Sequence, residues 1–266
     1  MASCGGISPD RVTIAIPARL ASTRLPGKML MQVNGRPLIE YTWRRACASQ
    51  LAGRVVIATD DEAIAEAARR FGAHVEMTAA DCASGTDRIY ELVRSGRLDA
   101  DIIVNVQGDE PEIDPSVIDM AVLGLAGDDS ADITTPVVAI ESLDEYRSPG
   151  AVKVAATADG RALYFSRAAI PFVREGLDLI DRGGLSGIWR HIGLYSCRRE
   201  ALVKWASAAP SLLEGFERLE QLRALELGLK IKVVKVARAP EGIDTLDDFR
   251  AFQMRQRGKG TRQGST

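Results

Sequence analysis

The chain has 266 residues, of which 46% are hydrophobic and 26% charged, a composition typical of a folded globular protein with a sizeable core. Its net charge of -2 gives no overall attraction to nucleic acid or to an anionic membrane, so any anion site must be local. Four widely spaced cysteines and two histidines argue against structural zinc and predict reduced thiols. We find no secretory signal and no apolar stretch near 18 residues, and expect a cytoplasmic protein.

After a start expected to be disordered (residues 1–11), a β-branched run over 12–16 predicts a buried strand that Pro17 ends. The loop that follows carries Arg19, Arg24 and Lys28 and no acidic residue. Arginine and lysine both suit phosphate oxygens, so this loop favours a polyanion, most plausibly a nucleoside triphosphate. The alternative is a basic loop exposed to solvent.

Two common phosphate-binding motifs are excluded. Lys28 is followed by methionine instead of serine or threonine, so the loop is not a P-loop. No G-x-G-x-x-G follows the first strand, which excludes the usual dinucleotide-binding fingerprint.

Strands and helices then alternate regularly. We predict helices from Pro37, from Asp60 or Asp61 to about Gly72, from Ser84, and over 115–125. Strands are predicted over 54–58, 74–76, 101–106 and 133–140. This order indicates an α/β fold: a three-layer α/β/α sandwich with a mostly parallel central sheet.

The second half does not continue this regular alternation of strands and helices. An Asp159-Gly160 turn between 152–156 and 162–165 predicts a hairpin, and the glycine-rich segment 176–187 predicts a mobile loop. Further strands are predicted over 191–196 and 231–236, and helices over 201–205, 216–227 and 246–252, before a disordered tail from 257 to 266. We expect one domain over 12–256, with a nucleotide-binding half (12–140) and a second half (141–256).

An acidic residue follows the strand over 101–106. Gln107, Gly108 and Asp109 lie at its carboxyl end, at the edge of the sheet where the basic loop also begins. Gly108 would let the backbone approach a ligand closely. Beside a triphosphate loop, Asp109 favours a Mg²⁺ site over a simple turn cap, because Mg²⁺ takes one or two carboxylates plus phosphate and water.

The other candidates are ambiguous from spacing alone. Asp244 precedes a helical pattern, and its position favours a helix N-cap. His191 and Tyr195 would share one strand face, which is either a ligand site or a polar sheet face. Glu220 and Gln221 lie in a leucine-rich helix, where the simplest interpretation is its solvated side.

Seven segments, taken together, resemble the 3-deoxy-manno-octulosonate (Kdo) cytidylyltransferases, the CMP-Kdo synthetases. The similarity runs from residue 12 to about 249 and is specific in combination, although each segment alone is weak. The segments, in the order of that family, are Pro17-Ala18-Arg19 with Ser22, Arg24, Pro26 and Lys28; Ser84-Gly85-Thr86-Asp87-Arg88; Val106-Gln107-Gly108-Asp109-Glu110-Pro111; Tyr164-Phe165-Ser166-Arg167-Ala168 with Ile170-Pro171; Arg190-His191-Ile192-Gly193-Leu194-Tyr195; Leu219-Glu220-Gln221-Leu222-Arg223; and Ile243-Asp244-Thr245.

This resemblance implies a CTP-dependent transfer of CMP to a 2-keto-3-deoxy sugar acid, with pyrophosphate as the second product. It implies a nucleotide-diphospho-sugar transferase-like fold with a smaller β-rich part for acceptor binding, Mg²⁺ as cofactor, a homodimer built around the second half, and, for Kdo, a role in lipopolysaccharide or capsule assembly. No nucleic acid or membrane partner is implied.

The resemblance also assigns residues. Asp109 and Asp244 would bind Mg²⁺, which for Asp244 replaces the helix cap predicted from spacing. Arg24, Lys28, Asp109 and Asp244 together would be the catalytic residues. The implied CTP contacts are Pro17, Ala18, Arg19, Ser22, Arg24, Lys28, Ser84, Gly85, Thr86, Gln107 and Gly108, and the implied sugar-acid contacts are Arg88, Gln107, His191, Tyr195, Glu220 and Gln221.

The sequence departs from the family pattern at Ala79, Cys82 and Gly150, and in Ser211-Leu212-Leu213-Glu214, where the family's proline before Leu-Glu is replaced. None of these positions carries a phosphate or metal group, so the departures bear on which acid is accepted: Kdo, 8-amino-Kdo, a nonulosonate or another anion. A sugar-1-phosphate nucleotidyltransferase is a second candidate, and a non-catalytic nucleotide-binding protein a third. The third would be expected to lack at least one of Arg24, Lys28, Asp109 and Asp244, and all four are present.

Overall fold

The computed structural model describes residues 8–20, 24–174, 187–239 and 242–262, with side chains to 258. The chain forms two compact units. The N-terminal unit comprises Ser8–Ala100, Val104–Ser116 and the segment after residue 239; the central unit comprises Asp101–Ile103 and Val117–Ala239. The predicted division into halves at residue 140 differs from these bounds, because the C-terminal segment returns to the N-terminal unit.

The N-terminal unit is built on parallel strands joined by helices. Its strands β1 (Val12–Ala18), β4 (Arg54–Thr59) and β5 (His74–Met77) lie in the order β5-β4-β1, and β6 (Ile102–Asn105) follows β1. β4 pairs in parallel with both neighbours. The connecting helices are α1 (Leu38–Ala46), α2 (Glu62–Arg70) and α3 (Gly85–Arg94), and β2 (Gln32–Val33) with β3 (Arg36–Pro37) forms a small separate sheet.

Capping explains where two of these helices begin. The Asp61 carboxylate accepts a hydrogen bond from the Ile64 N–H at 2.9 Å, and the Ser84 hydroxyl accepts one from the Asp87 N–H at 3.1 Å. The sequence predicted Asp60 or Asp61 as the first cap, and a helix beginning at Ser84. The predicted end of β1 was wrong, because the ladder with β4 continues through Pro17 and Ala18. The fixed φ of proline is compatible with this extended conformation.

The central unit is mainly antiparallel around β7 (Ile133–Ala139). The order β11-β7-β10-β8-β9 contains β8 (Lys153–Ala156), β9 (Ala162–Ser166), β10 (Trp189–His191) and β11 (Tyr195–Arg198), while β12 (Ile231–Lys235) pairs with β7 in parallel. Its helices are α4 (Pro115–Ala126), α5 (Leu143–Arg147), α6 (Arg199–Ser207), α7 (Leu212–Glu217) and α8 (Gln221–Glu226). The β8–β9 hairpin confirms the predicted turn. Most of the loop predicted over 176–187 lies outside the described residues.

Two elements predicted as continuous are divided. The strand predicted over 191–196 is wrong: β10 pairs with residues 137–139 of β7 and β11 with residues 133–134, and residues 192–194 separate them. The helix predicted over 216–227 is interrupted at Arg218, whose φ of 53° is left-handed. The Arg167 guanidinium donates to the carbonyls of Glu217 and Arg218 at 2.7 and 3.4 Å, which satisfies the backbone at this break.

The last helix, α9 (Leu246–Arg262), packs on the N-terminal unit. Phe249 and Phe252 are buried with Ile243 and three residues of the first 40, Leu25, Val33 and Leu38. Residues 257–262 are helical, so the tail predicted from 257 begins inside this helix. No helix in the described ranges is both long enough and apolar enough to cross a membrane.

Two helical glycines provide a test of packing in the central unit. A Cβ on Gly124 would lie 2.6 Å from Val234 Cγ2, whereas a Cβ on Gly215 would meet nothing within 4 Å. We expect Gly124→Ala to lower the free energy of unfolding by about 1–3 kcal/mol through overpacking, despite the better helix propensity of alanine. Gly215→Ala is the control and should raise it by up to about 1 kcal/mol. Urea denaturation of both variants measures the two changes in the free energy of unfolding. Equal changes would contradict the close packing of Gly124 against Val234.

Candidate active site

The Lys28 ammonium lies between two carboxylates of the N-terminal unit. Lys28 Nζ is 2.6 Å from Asp109 Oδ2 and 3.2 Å from Asp244 Oδ1, and it donates to the Ile243 carbonyl at 2.7 Å. The Lys28 side chain is 7% exposed, against 27% for Asp109 and 43% for Asp244. A buried ammonium has three N–H donors, and here each has an oxygen partner. The cation and the two carboxylates therefore form one charged cluster.

Ile243 holds the C-terminal segment against the strand end that carries Asp109. Its N–H donates to the Asp109 carbonyl at 2.9 Å, and its side chain is fully buried. The helix cap predicted for Asp244 is wrong: the Thr245 hydroxyl accepts from the Asp248 N–H at 3.2 Å, and Asp248 accepts from the Thr245 N–H at 2.8 Å. Thr245 caps α9, which leaves the Asp244 carboxylate to pair with cations.

The basic loop is closed by its own backbone. The Gly27 N–H donates to the Leu20 carbonyl at 3.1 Å, and Gly27 adopts a left-handed φ of 70° that favours glycine. Arg24 pairs with Asp244 at 2.8 Å but remains 67% exposed. Arg19 is exposed and makes no ion pair with the described residues. Ser22, implied as a phosphate contact, lies outside the described residues.

A row of polar side chains runs along the end of β6. The Asn105 amide donates to the Thr86 hydroxyl at 3.2 Å, and the Gln107 amide donates to Asn105 Oδ1 at 3.2 Å. The structure thus brings Thr86 and Gln107 together. Asn105 is a link that the sequence interpretation missed. A polar residue inside the otherwise apolar run 102–106 was the available signal.

Two predicted glycines are needed for packing. A Cβ on Gly85 would lie 2.9 Å from the Pro17 ring, which brings Pro17, Gly85 and Gln107 to one place. The ligand approach predicted for Gly108 needs correction: a Cβ there would lie 3.1 Å from the Pro17 carbonyl and from Ile39 Cδ1, so protein atoms fill that space. Ala18, beside Pro17 at the end of β1, is buried.

Arg88 does not join the predicted site residues. It is 3% exposed, lies 3.1 Å from Asp60 Oδ1 and donates to the Thr78 hydroxyl and, at 3.4 Å, to the Ala79 carbonyl. Its donors are therefore used inside the N-terminal unit. Ser84, besides capping α3, donates its hydroxyl proton to Asp87 at 2.9 Å.

In the central unit, aromatic rings surround His191. Its ring lies 5.0 Å from Phe165 and 5.4 Å from Tyr195, and Tyr195 lies 5.3 Å from Trp205. His191 and Tyr195 lie on separate strands, so their proximity does not arise from a shared strand face as predicted. Burial lowers the pKa of His191 to about 3, which keeps the ring neutral at pH 7.

Glu220 and Gln221 begin α8 and belong to the same region. The Glu220 backbone carbonyl accepts a hydrogen bond from Trp205 Nε1 at 3.0 Å. The pKa of Tyr195 is raised first by burial and second by the negative charge of the Glu220 carboxylate. Gln221 is 2% exposed, and its Nε2 donates to no described residue. The interpretation of this pair as a solvated helix face was wrong. A buried amide donor without a partner is what a polar ligand could satisfy.

The chemistry available follows from these groups. In the N-terminal unit, two carboxylates suit a hard divalent cation, and three basic side chains suit phosphate oxygens. In the central unit, the imidazole, phenol, carboxylate and amide groups suit a ligand rich in hydroxyl groups. Among the described residues no cluster of three or more His, Cys, Asp or Glu could hold a metal. A cation here would need ligand oxygens as well.

Comparison with known proteins agrees with this arrangement. The cytidylyltransferase family model matches residues 13–231. The 3-deoxy-manno-octulosonate cytidylyltransferases of Geobacter metallireducens and Geobacter sulfurreducens are both 46% identical, over 90% of this chain and 95% and 96% of their own lengths. A solved structure of CMP:2-keto-3-deoxy-manno-octonic acid synthetase complexed with CTP is 34% identical, with a TM-score of 0.86 over 94% of this chain and all of that one. The predicted fold class is confirmed.

The charged cluster gives a prediction for stability. Lys28→Met removes the ammonium and leaves Asp109 and Asp244 without their shared cation, so the free energy of unfolding should fall by about 2–4 kcal/mol. Arg24→Met is the matched control, because it removes an exposed partner of Asp244, and it should cost less than about 1 kcal/mol. Urea denaturation at pH 7 without added metal tests this, and a loss from Arg24→Met as large as that from Lys28→Met would contradict it.

Proposed function

This chain belongs to the 3-deoxy-manno-octulosonate cytidylyltransferase family, and on that premise we propose that it transfers CMP from CTP to Kdo. The hydroxyl oxygen at the anomeric carbon of the sugar acid bonds to the α-phosphorus. The bond from that phosphorus to the bridging oxygen breaks, pyrophosphate leaves with this oxygen, and the hydroxyl loses its proton. The observation that carries the proposal is the pairing of Lys28 with both Asp109 and Asp244.

The N-terminal unit provides the groups for CTP. Arg19, Arg24 and Lys28 would bind the triphosphate, and the exposure of the first two supports their reaching it. Ser22 is proposed from the family resemblance. The row formed by Thr86, Asn105 and Gln107 would hold the nucleoside. Pro17, Ala18, Ser84, Gly85 and Gly108 would shape this site through packing and helix capping. Transfer of a phosphoryl group needs positioning and charge stabilisation more than covalent help from the protein.

The carboxylate pair fits the Mg²⁺ that this chemistry uses. Asp109 and Asp244 both face one buried cationic group, so they are spaced to share a cation. Two carboxylates leave coordination positions for phosphate and water, as Mg²⁺ prefers. When bound, the ion would offset phosphate charge and lower the pKa of the attacking hydroxyl.

The sugar acid would bind through His191, Tyr195, Glu220 and Gln221. The unpartnered Gln221 amide and the neutral imidazole support hydrogen bonds to sugar hydroxyls. For Arg88, which the resemblance implies as a sugar contact, the buried pairing with Asp60 supports a role in holding the segment at 78–79.

A related acceptor is the second candidate. The Glu91 carboxylate accepts from the Ala79 N–H at 2.7 Å and lies 3.5 Å from Cys82 Sγ. Two of the positions that depart from the family pattern therefore share one anchor. Because this segment departs from the family pattern, we propose 8-amino-Kdo or another sugar acid as the alternative acceptor.

We also propose a cytoplasmic homodimer. The central unit exposes large apolar side chains, Leu163, Phe172, Leu212 and Phe216, that a second copy would cover. Cell fractionation and the mass in solution would test localisation and assembly separately.

Pyrophosphate release tests the reaction. With CTP and Mg²⁺ we expect release with Kdo and none without an acceptor, and the panel should include 8-amino-Kdo and neuraminate. Asp109→Asn should lower kcat by at least about 100-fold, because it removes a metal ligand at the reacting phosphate. Pyrophosphate release only with another acid would identify that acid as the substrate in place of Kdo. No release with any acid, from protein that still binds CTP, would contradict the enzymatic proposal.

Metal binding can be tested without turnover. The Lys28 ammonium competes with a cation for the two carboxylates, so Mg²⁺ alone should raise the Tm of Lys28→Met more than that of the parent protein. The double variant with Asp109→Asn should lose this gain. An equal response of the parent and Lys28→Met to Mg²⁺ would contradict a shared metal position.

A further inference from the structure

Thr135 of β7 lies beside His191 and has more acceptors than its single proton can serve. Thr135 Oγ1 is 2.7 Å from the Leu194 carbonyl, 3.1 Å from the Ile192 carbonyl and 2.9 Å from His191 Nε2. Thr135 is fully buried. Carbonyl oxygens only accept, so they compete for the single hydroxyl proton with His191 Nε2 if that nitrogen is unprotonated.

This geometry decides the state of the imidazole. If Nε2 had no proton, the Thr135 hydroxyl would have to turn its proton to the ring, and the Leu194 carbonyl at 2.7 Å would then face the hydroxyl oxygen with no proton between them. The Ile192 carbonyl accepts from the Leu194 N–H at 2.7 Å in either state. If Nε2 carries a proton, the imidazole donates to Thr135 and the hydroxyl donates to a carbonyl. Only in the second arrangement do the two shortest contacts of Thr135, to the Leu194 carbonyl and to His191 Nε2, each hold a proton.

The ring nitrogen that remains is Nδ1. Burial keeps the imidazole neutral, so protonation of Nε2 leaves Nδ1 with a lone pair. Among the described residues Nδ1 makes no hydrogen bond, while the backbone N–H of His191 donates to the Val152 carbonyl at 2.8 Å. His191 as a whole is only partly buried, which leaves part of the residue open to a ligand.

We infer that Thr135 is a positioning residue: it fixes His191 as the Nε2–H tautomer, so that Nδ1 accepts a hydrogen bond from a hydroxyl group of the acceptor sugar acid. The role of Nδ1 toward the sugar rests on the proposed function. The tautomer itself depends only on the contacts between Thr135, His191 and the two carbonyls. Edge contact with Phe165 and tilted contact with Tyr195 restrain the ring plane.

Nitrogen NMR of histidine tests the tautomer directly, since the chain has two histidines, His74 and His191. In the ligand-free protein labelled with ¹⁵N-histidine, the signals absent from His74→Gln identify His74. His191 should show a protonated Nε2 and an unprotonated Nδ1. Thr135→Val should populate the other tautomer, whereas Thr135→Ser should keep the parent pattern.

Thr134→Val is the matched control. Thr134 is equally buried on the same strand, and its hydroxyl donates to the Ala121 carbonyl at 2.6 Å. The Thr134→Val variant removes one buried hydroxyl but should leave the NMR signals of His191 unchanged. A protonated Nδ1 in the parent protein, or an unchanged His191 pattern in folded Thr135→Val, would overturn the inference.

Kinetics test the consequence for the sugar. Thr135→Val should raise KM for the sugar acid about tenfold, the loss of one hydrogen bond, and leave KM for CTP unchanged. Thr135→Ser should restore the parent value, and Thr134→Val should not raise the sugar-acid KM. An unchanged sugar-acid KM in Thr135→Val would overturn the role of Nδ1. If the parent protein turns over no sugar acid, the proposed function fails, while the NMR result still decides the tautomer.

Discussion

The ion pairs of Lys28 with Asp109 and Asp244 are the constraint on which the N-terminal unit depends. Two carboxylates from residues 135 positions apart repel each other unless a cation lies between them, and the nearly buried ammonium supplies it. Ile243 holds the arrangement in place through its buried side chain and its hydrogen bond to the Asp109 carbonyl. The same charges are those that we propose for binding a metal and a triphosphate.

Neighbouring residues are organised around that cluster by packing instead of by charge. Gly85 and Gly108 let Pro17 pack closely against them, and the Asn105 amide connects Thr86 with Gln107. Such a row of hydrogen bonds leaves little freedom to the Gln107 side chain. A site built in this way can hold a nucleoside by fixed donors and acceptors, with small reorganisation on binding.

The polar residues of the central unit are held in a different environment. They lie among aromatic rings, where burial keeps His191 neutral and raises the pKa of Tyr195. Uncharged donors and acceptors suit hydroxyl groups, whose recognition depends on the direction of each hydrogen bond. The break between β10 and β11 is what places the carbonyls of Ile192 and Leu194 at the Thr135 hydroxyl.

The sequence by itself determined the alternating strands and helices of the first half, the helix starts near Asp61 and at Ser84, and the family. Periodicity and capping are local signals, and the combination of motifs is specific. Only the tertiary structure decided that Asp244 pairs with Lys28 while Thr245 caps α9, that Arg88 is buried against Asp60, and that residues 191–196 divide into two strands. The pairings of Asp244 and Arg88 depend on partners distant in the chain, and the division of 191–196 depends on two separate stretches of β7. The Thr245 cap is a local contact with Asp248, which the sequence interpretation assigned one residue too early. The role of Asn105 also required the structure, because its partners Thr86 and Gln107 meet only once β6 and α3 have packed.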